Sequence, residues 1–151
     1  MAERKSQKLD VVKKLAEQKE SKAASLLQEQ QEKLASENEF LSQLSEYYDS
    51  YLSDIDQQLQ VSPEELLRYR GFSQQLAKSV KQIEQKISHT EQAVQFAREE
   101  WAQLRHKRSA IEDLIESAIQ EERAEDDRIE QKYLDELVGQ RFYTTHQAKK
   151  H

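Results

Sequence analysis

The 151-residue sequence contains no cysteine, one proline and two glycines. The lack of cysteine excludes disulfides and thiolate metal sites. Glycine and proline are the usual residues of turns, so their near absence predicts few connections between elements. No apolar run approaches the ~18 residues that a membrane-spanning helix needs, and the first ten residues lack a signal-peptide stretch. We therefore expect a water-soluble chain built from few, long elements.

Sequence patterns of known catalytic chemistry are missing as well. There is no GxGxxG, GxxxxGK[ST] or GxSxG motif, and the four histidines are not spaced as metal ligands. The net charge of -6 argues against nucleic-acid binding, which depends on neutralising phosphates. We expect no enzymatic activity, and therefore no catalytic residue, cofactor, metal ion, small-molecule substrate or nucleic-acid partner.

Charged residues make up 34% of the chain and hydrophobic residues 36%, which is too little apolar surface for a thick globular core. A coiled coil needs only two apolar positions in seven. The segment Ser62-Pro63-Glu64-Glu65 has the N-cap, the proline and the third-position glutamate that begin a helix. A helix is therefore predicted from Pro63 onward, after a turn at residues 60–62.

From Pro63 onward a seven-residue repeat runs through eight heptads, and thirteen of its sixteen core positions are apolar. The repeat fails at Glu122 and Glu125. One core position holds Leu66, Ser73, Val80, Ile87, Val94, Trp101, Arg108 and Ile115, and the other holds Tyr69, Leu76, Ile83, Thr90, Ala97, Leu104, Ile111 and Ala118.

The first half of the chain carries a matching seam, which predicts an all-α fold: a long antiparallel two-helix coiled-coil hairpin. Its apolar rows change register near residues 26–34, which predicts a stutter. Helix one is predicted at about 5–59, helix two at about 63–138 ending at Gly139, and residues 139–151 as a flexible tail. The seam rows of helix one are Leu27, Leu34, Leu41, Tyr48 and Ile55, then Leu9, Ala16 and Ala23, with Val12 and Leu26 as a further row.

A two-residue turn places residues opposite each other when their numbers add to about 122. Helix one then ends where helix two reaches about residue 117, and residues from about 120 onward form a helical overhang. Residues 116–136 hold nine acidic and three basic residues. An isolated helix of this length is marginal in water, so we expect the overhang either to have a partner or to fray without one.

An aromatic patch is predicted near the turn, made by Tyr47 and Tyr51 of helix one with Phe72 and Leu76 of helix two. Residues four apart share a helix face, and the pairing rule brings the two faces together. Exposed aromatic side chains are favoured anchors of protein interfaces, so this patch is a candidate docking site.

The run Asp127-Arg128-Ile129-Glu130-Gln131-Lys132, followed by Leu134-Asp135-Glu136, resembles the FliJ family of bacterial flagellar export proteins. The stretch from Ala97 through Trp101 and Arg108 to Glu116, and the aromatic positions near the turn, fit the same family. The resemblance covers residues from about 10 to 140. It departs from the family pattern at Leu137-Val138, where the family often has Phe-Ala.

The resemblance implies a stalk-like coiled coil of the type III export machine, at the cytoplasmic face of the inner membrane at the flagellar base. Its implied partners are the hexameric export ATPase, the membrane export gate and export chaperones. Gate contact would fall on the aromatic patch of Tyr47, Tyr51, Phe72 and Leu76. ATPase contact would involve the N-terminal segment and a set of residues in the overhang: Glu130, Gln131, Lys132, Asp135 and Glu136.

Two other interpretations stay open on the sequence. A virulence injectisome protein of the YscO type has a similar hairpin, although the Glu-Gln-Lys-x-x-Asp-Glu run favours the flagellar family. A generic coiled-coil tether would account for the seam but requires neither an overhang nor an aromatic patch.

Overall fold

The computed structural model describes residues 4–57 and 62–150, with side chains up to His146. Two helices account for these residues: α1 (Lys5–Gln57) and α2 (Pro63–Lys150). The two helices pack against each other and the described residues contain no strand, so the predicted fold class is confirmed. Contacts divide the chain into two units, Lys19–Arg105 and Met1–Gln18 with His106–His151.

The start of α2 has the predicted N-cap. The Ser62 hydroxyl accepts a hydrogen bond from the Glu65 backbone N–H at 3.2 Å, and the Ser62 carbonyl accepts from Leu66 N–H at 3.0 Å. These bonds satisfy amides that a helix start leaves without intrahelical partners. Gln60 and Val61 of the predicted turn, and the predicted last residues 58–59 of helix one, lie outside the described residues.

The prediction that helix two ends at Gly139 is wrong, because α2 continues to Lys150 and residues 139–150 are helical rather than a tail without structure. Gly139 has no positive φ angle, so it does not form the left-handed cap that ends many helices. A glycine inside a helix costs only about 1 kcal/mol. Thr144 and Thr145 also donate to the carbonyls of Gln140 and Arg141, within the same helical turns.

In the Lys19–Arg105 unit the helices are antiparallel. Tyr51 lies against Tyr69 with ring centroids 5.2 Å apart, whereas Glu37, earlier on α1, reaches Thr90, later on α2. Across both units, all sixteen predicted core positions of α2 except Leu66 are buried or half-buried. The α2 repeat therefore identifies the side chains that bury the seam.

The predicted stutter in helix one is wrong. In the Lys19–Arg105 unit the less exposed side chains of α1 recur every three and four residues without a break. Glu20, Gln30 and Glu37 fill the three positions at which the apolar pattern is interrupted, and Leu26, assigned to a separate row, is exposed. Polar residues on the seam thus imitated a change of register. The positions are Glu20, Ala23, Leu27, Gln30, Leu34, Glu37, Leu41, Leu44, Tyr48, Tyr51 and Ile55.

A hydrogen bond inside this seam joins the helices. The Thr90 side chain is 4% exposed, and its hydroxyl lies 2.8 and 3.0 Å from the two carboxylate oxygens of Glu37. In any other register the Thr90 hydroxyl and the Glu37 carboxylate would lose this hydrogen bond inside the seam, at a cost of roughly 1–3 kcal/mol. The Thr90–Glu37 bond therefore helps to specify the pairing of the two helices.

In the other unit the first turn of α1 is held by α2. Glu122 accepts hydrogen bonds from the Ser6 backbone N–H at 3.1 Å and from the Ser6 hydroxyl at 2.8 Å. Arg4 forms a salt bridge with Asp126 at 3.1 Å and lies 3.9 Å from Glu122.

These contacts correct the predicted boundary of the overhang. The pairing rule placed Ser6 opposite about residue 116 and left everything beyond about 120 without α1. The structure instead brings α1 to Glu122 and Asp126, and Ala118 is buried. The part of α2 that the described residues of α1 leave uncovered therefore begins near residue 127.

Substituting Ile87 by Asp tests the buried seam. Ile87 is 7% exposed, so a carboxylate there loses its hydration without gaining a partner, at a cost of at least ~3 kcal/mol. We expect a large fall in the melting temperature by circular dichroism. Ser88→Asp, at the exposed neighbouring position, is the matched control and should melt close to the parent protein. Equal melting of both variants would contradict the assignment of Ile87 to the core.

Substituting Glu122 by Gln tests the contact between α2 and the first turn of α1. The hydroxyl and the N–H of Ser6, with Arg4 nearby, lower the pKa of Glu122, although partial desolvation opposes them. Stabilisation by a carboxyl with a lowered pKa is present above its ordinary value and is lost as pH falls through the folded-state pKa. We expect the parent to protect Ser6 and its neighbours from hydrogen exchange better than Glu122→Gln at neutral pH, and equally in acid.

The matched control is Glu121→Gln, which removes a charge from the adjacent exposed position. Its exchange should follow the parent at each pH, after correction for the intrinsic rate. The proposed bond would be contradicted if both glutamine variants lost the same protection at neutral pH.

Candidate partner-binding surfaces

Four rings meet near the start of α2 and form the aromatic cluster: Tyr47 and Tyr51 of α1 with Tyr69 and Phe72 of α2. The Tyr51 ring lies between the two α2 rings, with centroid distances of 4.6 Å to Phe72 and 5.2 Å to Tyr69. Tyr47 meets Phe72 edge-to-face at 6.3 Å. Such pairs stabilise one another by about 0.5–1.5 kcal/mol beyond the burial of their area. The cluster is therefore an ordered surface.

The members of the cluster differ in exposure. Tyr47 is 56% exposed and Phe72 is 40% exposed, whereas Tyr51 and Tyr69 are half-buried beneath them. Partial burial, with smaller contributions from Tyr69 and Tyr47, raises the pKa of Tyr51 above its ordinary value. Tyr47 and Phe72 are thus the side chains that a partner can cover.

The structure separates one predicted residue from this surface. Leu76 is only 8% exposed and occupies the heptad position that packs into the seam. A residue buried against α1 cannot also present its side chain to a partner, so placing Leu76 in the patch is wrong. Tyr69, which the sequence assigned only to the core, takes its place in the cluster. The signal for Tyr69 was its spacing of three residues from Phe72, which puts both on one side of α2.

The second surface is the α2 extension, defined here as residues 127–146. Every side chain in it is exposed, including all five residues predicted for ATPase contact, Glu130, Gln131, Lys132, Asp135 and Glu136. It also carries large apolar side chains that are 40–74% exposed. These are Ile129, Tyr133, Leu134, Leu137, Val138, Phe142 and Tyr143.

Leu134 and Leu137 lie on a face that is distinct from the seam, whereas Ile129, Tyr133 and Tyr143 lie within about 40° of the seam direction. At 100° per residue, the centre of the face formed by residues 130, 134, 137 and 141 is about 110° around the helix from Ala118 and Glu122. The face is therefore not a continuation of the surface that packs against α1. Glu130 lies within the apolar face, whereas Lys132, Asp135 and Glu136 lie on the opposite side of α2, so the five predicted residues do not form one patch.

Sequence reasoning missed two groups of residues at this end of the molecule. Phe142 and Tyr143 were lost because the helix was ended at Gly139, although the spacing of Leu134, Val138 and Phe142 by four residues was a signal for them. The contacts of Arg4 and Ser6 with α2 had no signal in the sequence, because they join residues more than 110 positions apart.

The described residues hold no group of His, Cys, Asp or Glu side chains that could bind a metal ion. Among the described segments, no helix has the length and apolar character to cross a membrane. The two surfaces above consist of exposed aromatic, aliphatic and charged side chains. Exposed aromatic and aliphatic side chains are favoured anchors of protein interfaces, so both surfaces are candidate partner-binding sites.

Comparison with known proteins identifies the family. A family model described as Flagellar FliJ protein matches residues 5–147. Neither the curated proteins nor the solved structures gave a significant match. Because the family model extends over both helices, the chain belongs to the FliJ family and is a protein of flagellar export.

Proposed function

We propose that this protein is a helical stalk of the flagellar export apparatus. The α2 extension and the N-terminal turn enter the centre of the hexameric export ATPase and promote assembly of its ring. The aromatic cluster contacts the membrane export gate, and the stalk thereby couples the two. The observation that carries the proposal is the α2 extension, an exposed helix with large apolar side chains beside many carboxylates.

The energetics of the α2 extension support a binding role. A single exposed helix gains little from its intrinsic propensity and leaves its apolar side chains in water. A surrounding protein ring would cover those side chains and supply cationic groups for the acidic stretch at residues 116–136. Opposite potentials speed association and make it sensitive to salt.

The aromatic cluster supports a second, separate contact. Tyr47 and Phe72 are exposed, yet their rings are held in place by Tyr51 and by the pairing of α1 with α2. Preorganised aromatic side chains lose little conformational entropy when they are covered. We assign this surface to the export gate and place the protein at the cytoplasmic face of the inner membrane at the flagellar base.

A role in handling export chaperones completes the proposal and follows from membership of the family. Neither the aromatic cluster nor the α2 extension is assigned to chaperones. The long outer faces of both helices are the remaining surface for them, and exposed phenylalanines such as Phe40 and Phe96 lie there.

Truncation after Asp126 tests the ATPase contact. This boundary keeps the bonds of Glu122 and Asp126 to the first turn of α1, so the hairpin should melt close to the full chain. Stimulation of the export ATPase at low enzyme concentration should be lost, because the α2 extension is gone. Truncation after His146, which keeps the apolar face, is the matched control and should stimulate like the full chain. Equal stimulation by both truncated chains would remove the α2 extension from the stalk role.

Replacing Tyr47 and Phe72 together by Ala tests the gate contact. The free energy of unfolding should change by no more than about 1–2 kcal/mol, because both side chains are substantially exposed. Binding to the purified cytoplasmic part of the export gate should weaken at least about tenfold, as expected for interface anchors. ATPase stimulation should be retained.

The matched control replaces two exposed phenylalanines elsewhere in the same unit, Phe40 and Phe96, by Ala. It removes a similar apolar area and should bind the gate like the parent. Similar loss of gate binding in both double variants would mean that the aromatic cluster has no special role.

A further inference from the structure

The apolar side chains at the centre of the α2 extension have an internal symmetry that a stalk surface does not require. Their spacing is the same when read in either direction from the point between Asp135 and Glu136. Leu134 then corresponds to Leu137 and Tyr133 to Val138, and all four side chains are exposed. Ile129 and Phe142 lie about 110° from the centre of this face, and Tyr143 has no apolar counterpart. A helix face that reads the same in both directions can pair with a copy of itself in antiparallel orientation.

The centre of this face also has coiled-coil spacing. Glu130, Leu134, Leu137 and Arg141 follow one another at intervals of four, three and four residues, the spacing of core positions in a heptad. Two leucines therefore lie between an acidic and a basic residue. Glu130 and Arg141 are about 16 Å apart along one helix, too far to pair within the same chain.

We propose that two copies of this chain associate through their α2 extensions as an antiparallel pair of helices. Leu134 of each copy packs against Leu137 of the other, with Tyr133 of both copies on one side of the leucine layers and Val138 of both copies on the other side. Glu130 of each copy pairs with Arg141 of the other, so that an oppositely charged pair flanks the leucine layers at each end.

The distribution of charge favours a second copy of this chain as the partner, and it favours the antiparallel orientation. A parallel pair would place Glu130 against Glu130 and Arg141 against Arg141, and like charges in facing core positions oppose association. Beyond the leucines, residues 121–136 contain eight acidic side chains, whereas residues 137–151 contain none and hold Arg141, Lys149 and Lys150. Antiparallel pairing brings the acidic segment of each chain alongside the basic segment of the other.

The position of the face leaves room for a second copy. Its centre lies about 110° around α2 from the side that holds Ser6 through Glu122. Pairing therefore does not displace the first turn of α1. The apolar part spans only residues 133–138, about 9 Å of helix, so the interface is small for a specific interface and the association should be weak and reversible.

The pairing also suggests a control on the proposed function, and this consequence rests on that function. The face covered in the pair is the face that the ATPase would enclose, so a paired chain could not engage the ring. Free protein would then be held in pairs until the ring competes for the same side chains.

The experiment is sedimentation equilibrium of the full chain with two single variants, Glu130→Arg and Arg141→Glu, at low salt. The parent should show a concentration-dependent monomer–dimer equilibrium. Each single variant creates two like-charge contacts in its own pair and should associate at least about tenfold more weakly. A mixture of the two variants forms two Arg–Glu contacts and should recover the association, as should the double variant with both charges exchanged.

The control is Lys132→Glu, a charge reversal on the opposite side of α2, which should leave the self-association close to that of the parent. A parent that stays monomeric up to about 1 mM would overturn the proposal, and so would failure of the mixed variants to associate better than either alone. These results do not depend on the ATPase. If truncation after Asp126 abolishes ATPase stimulation but the parent is monomeric, the stalk proposal stands and the pairing proposal fails. If the parent dimerises but the truncation leaves stimulation unchanged, the pairing proposal stands and the stalk proposal fails.

Discussion

The structure depends on a narrow apolar seam between two antiparallel helices. Only two positions in seven contribute, so few side chains are fully shielded, and in the described residues these are chiefly small or β-branched: Ala23, Leu76, Ile87, Thr90, Val94, Ala97 and Ala118. Because each layer is thin, every buried position matters and no thick core can compensate for a defect. The high charge content is compatible with this fold since five positions in seven face water.

Polar groups at defined points of the seam decide how the helices pair. Apolar layers repeat every heptad and tolerate a shift by one repeat, whereas the Thr90 hydroxyl has its partner only when Glu37 is alongside. In the other unit, Ser6 and Arg4 bind Glu122 and Asp126 and end the pairing of α1. Hydrogen bonds thus specify a register that hydrophobic contact alone leaves degenerate.

The face of α2 that packs against α1 differs from the face that carries Leu134 and Leu137 in the α2 extension. Up to Glu122 the side chains directed at α1 form the seam, and beyond it the face that holds Leu134 and Leu137 lies about 110° around the helix. The described residues of α1 do not cover this part of α2, and its exposed apolar side chains make it a candidate surface for a partner protein. Membership of the FliJ family assigns the protein to flagellar export.

The sequence alone determined the helical class, the start of α2 at Pro63 and the seam of α2. These follow from local signals, namely the N-cap of Ser62 and the heptad spacing, which act over a few residues. It also brought Tyr47, Tyr51 and Phe72 together, because the antiparallel pairing rule is accurate close to the turn. The role of these residues in binding remains a prediction.

Only the tertiary structure decided the continuous register of α1, the burial of Leu76 and the boundary of the α2 extension. Gln30 and Glu37 occupy seam positions because the opposing helix accepts them, which an apolar pattern cannot reveal. Gly139 stays helical because its flanking residues favour helix and the cost of one glycine is small. The bonds of Ser6 and Arg4 to α2 join residues distant in sequence, so their existence depends on how two helices meet in space.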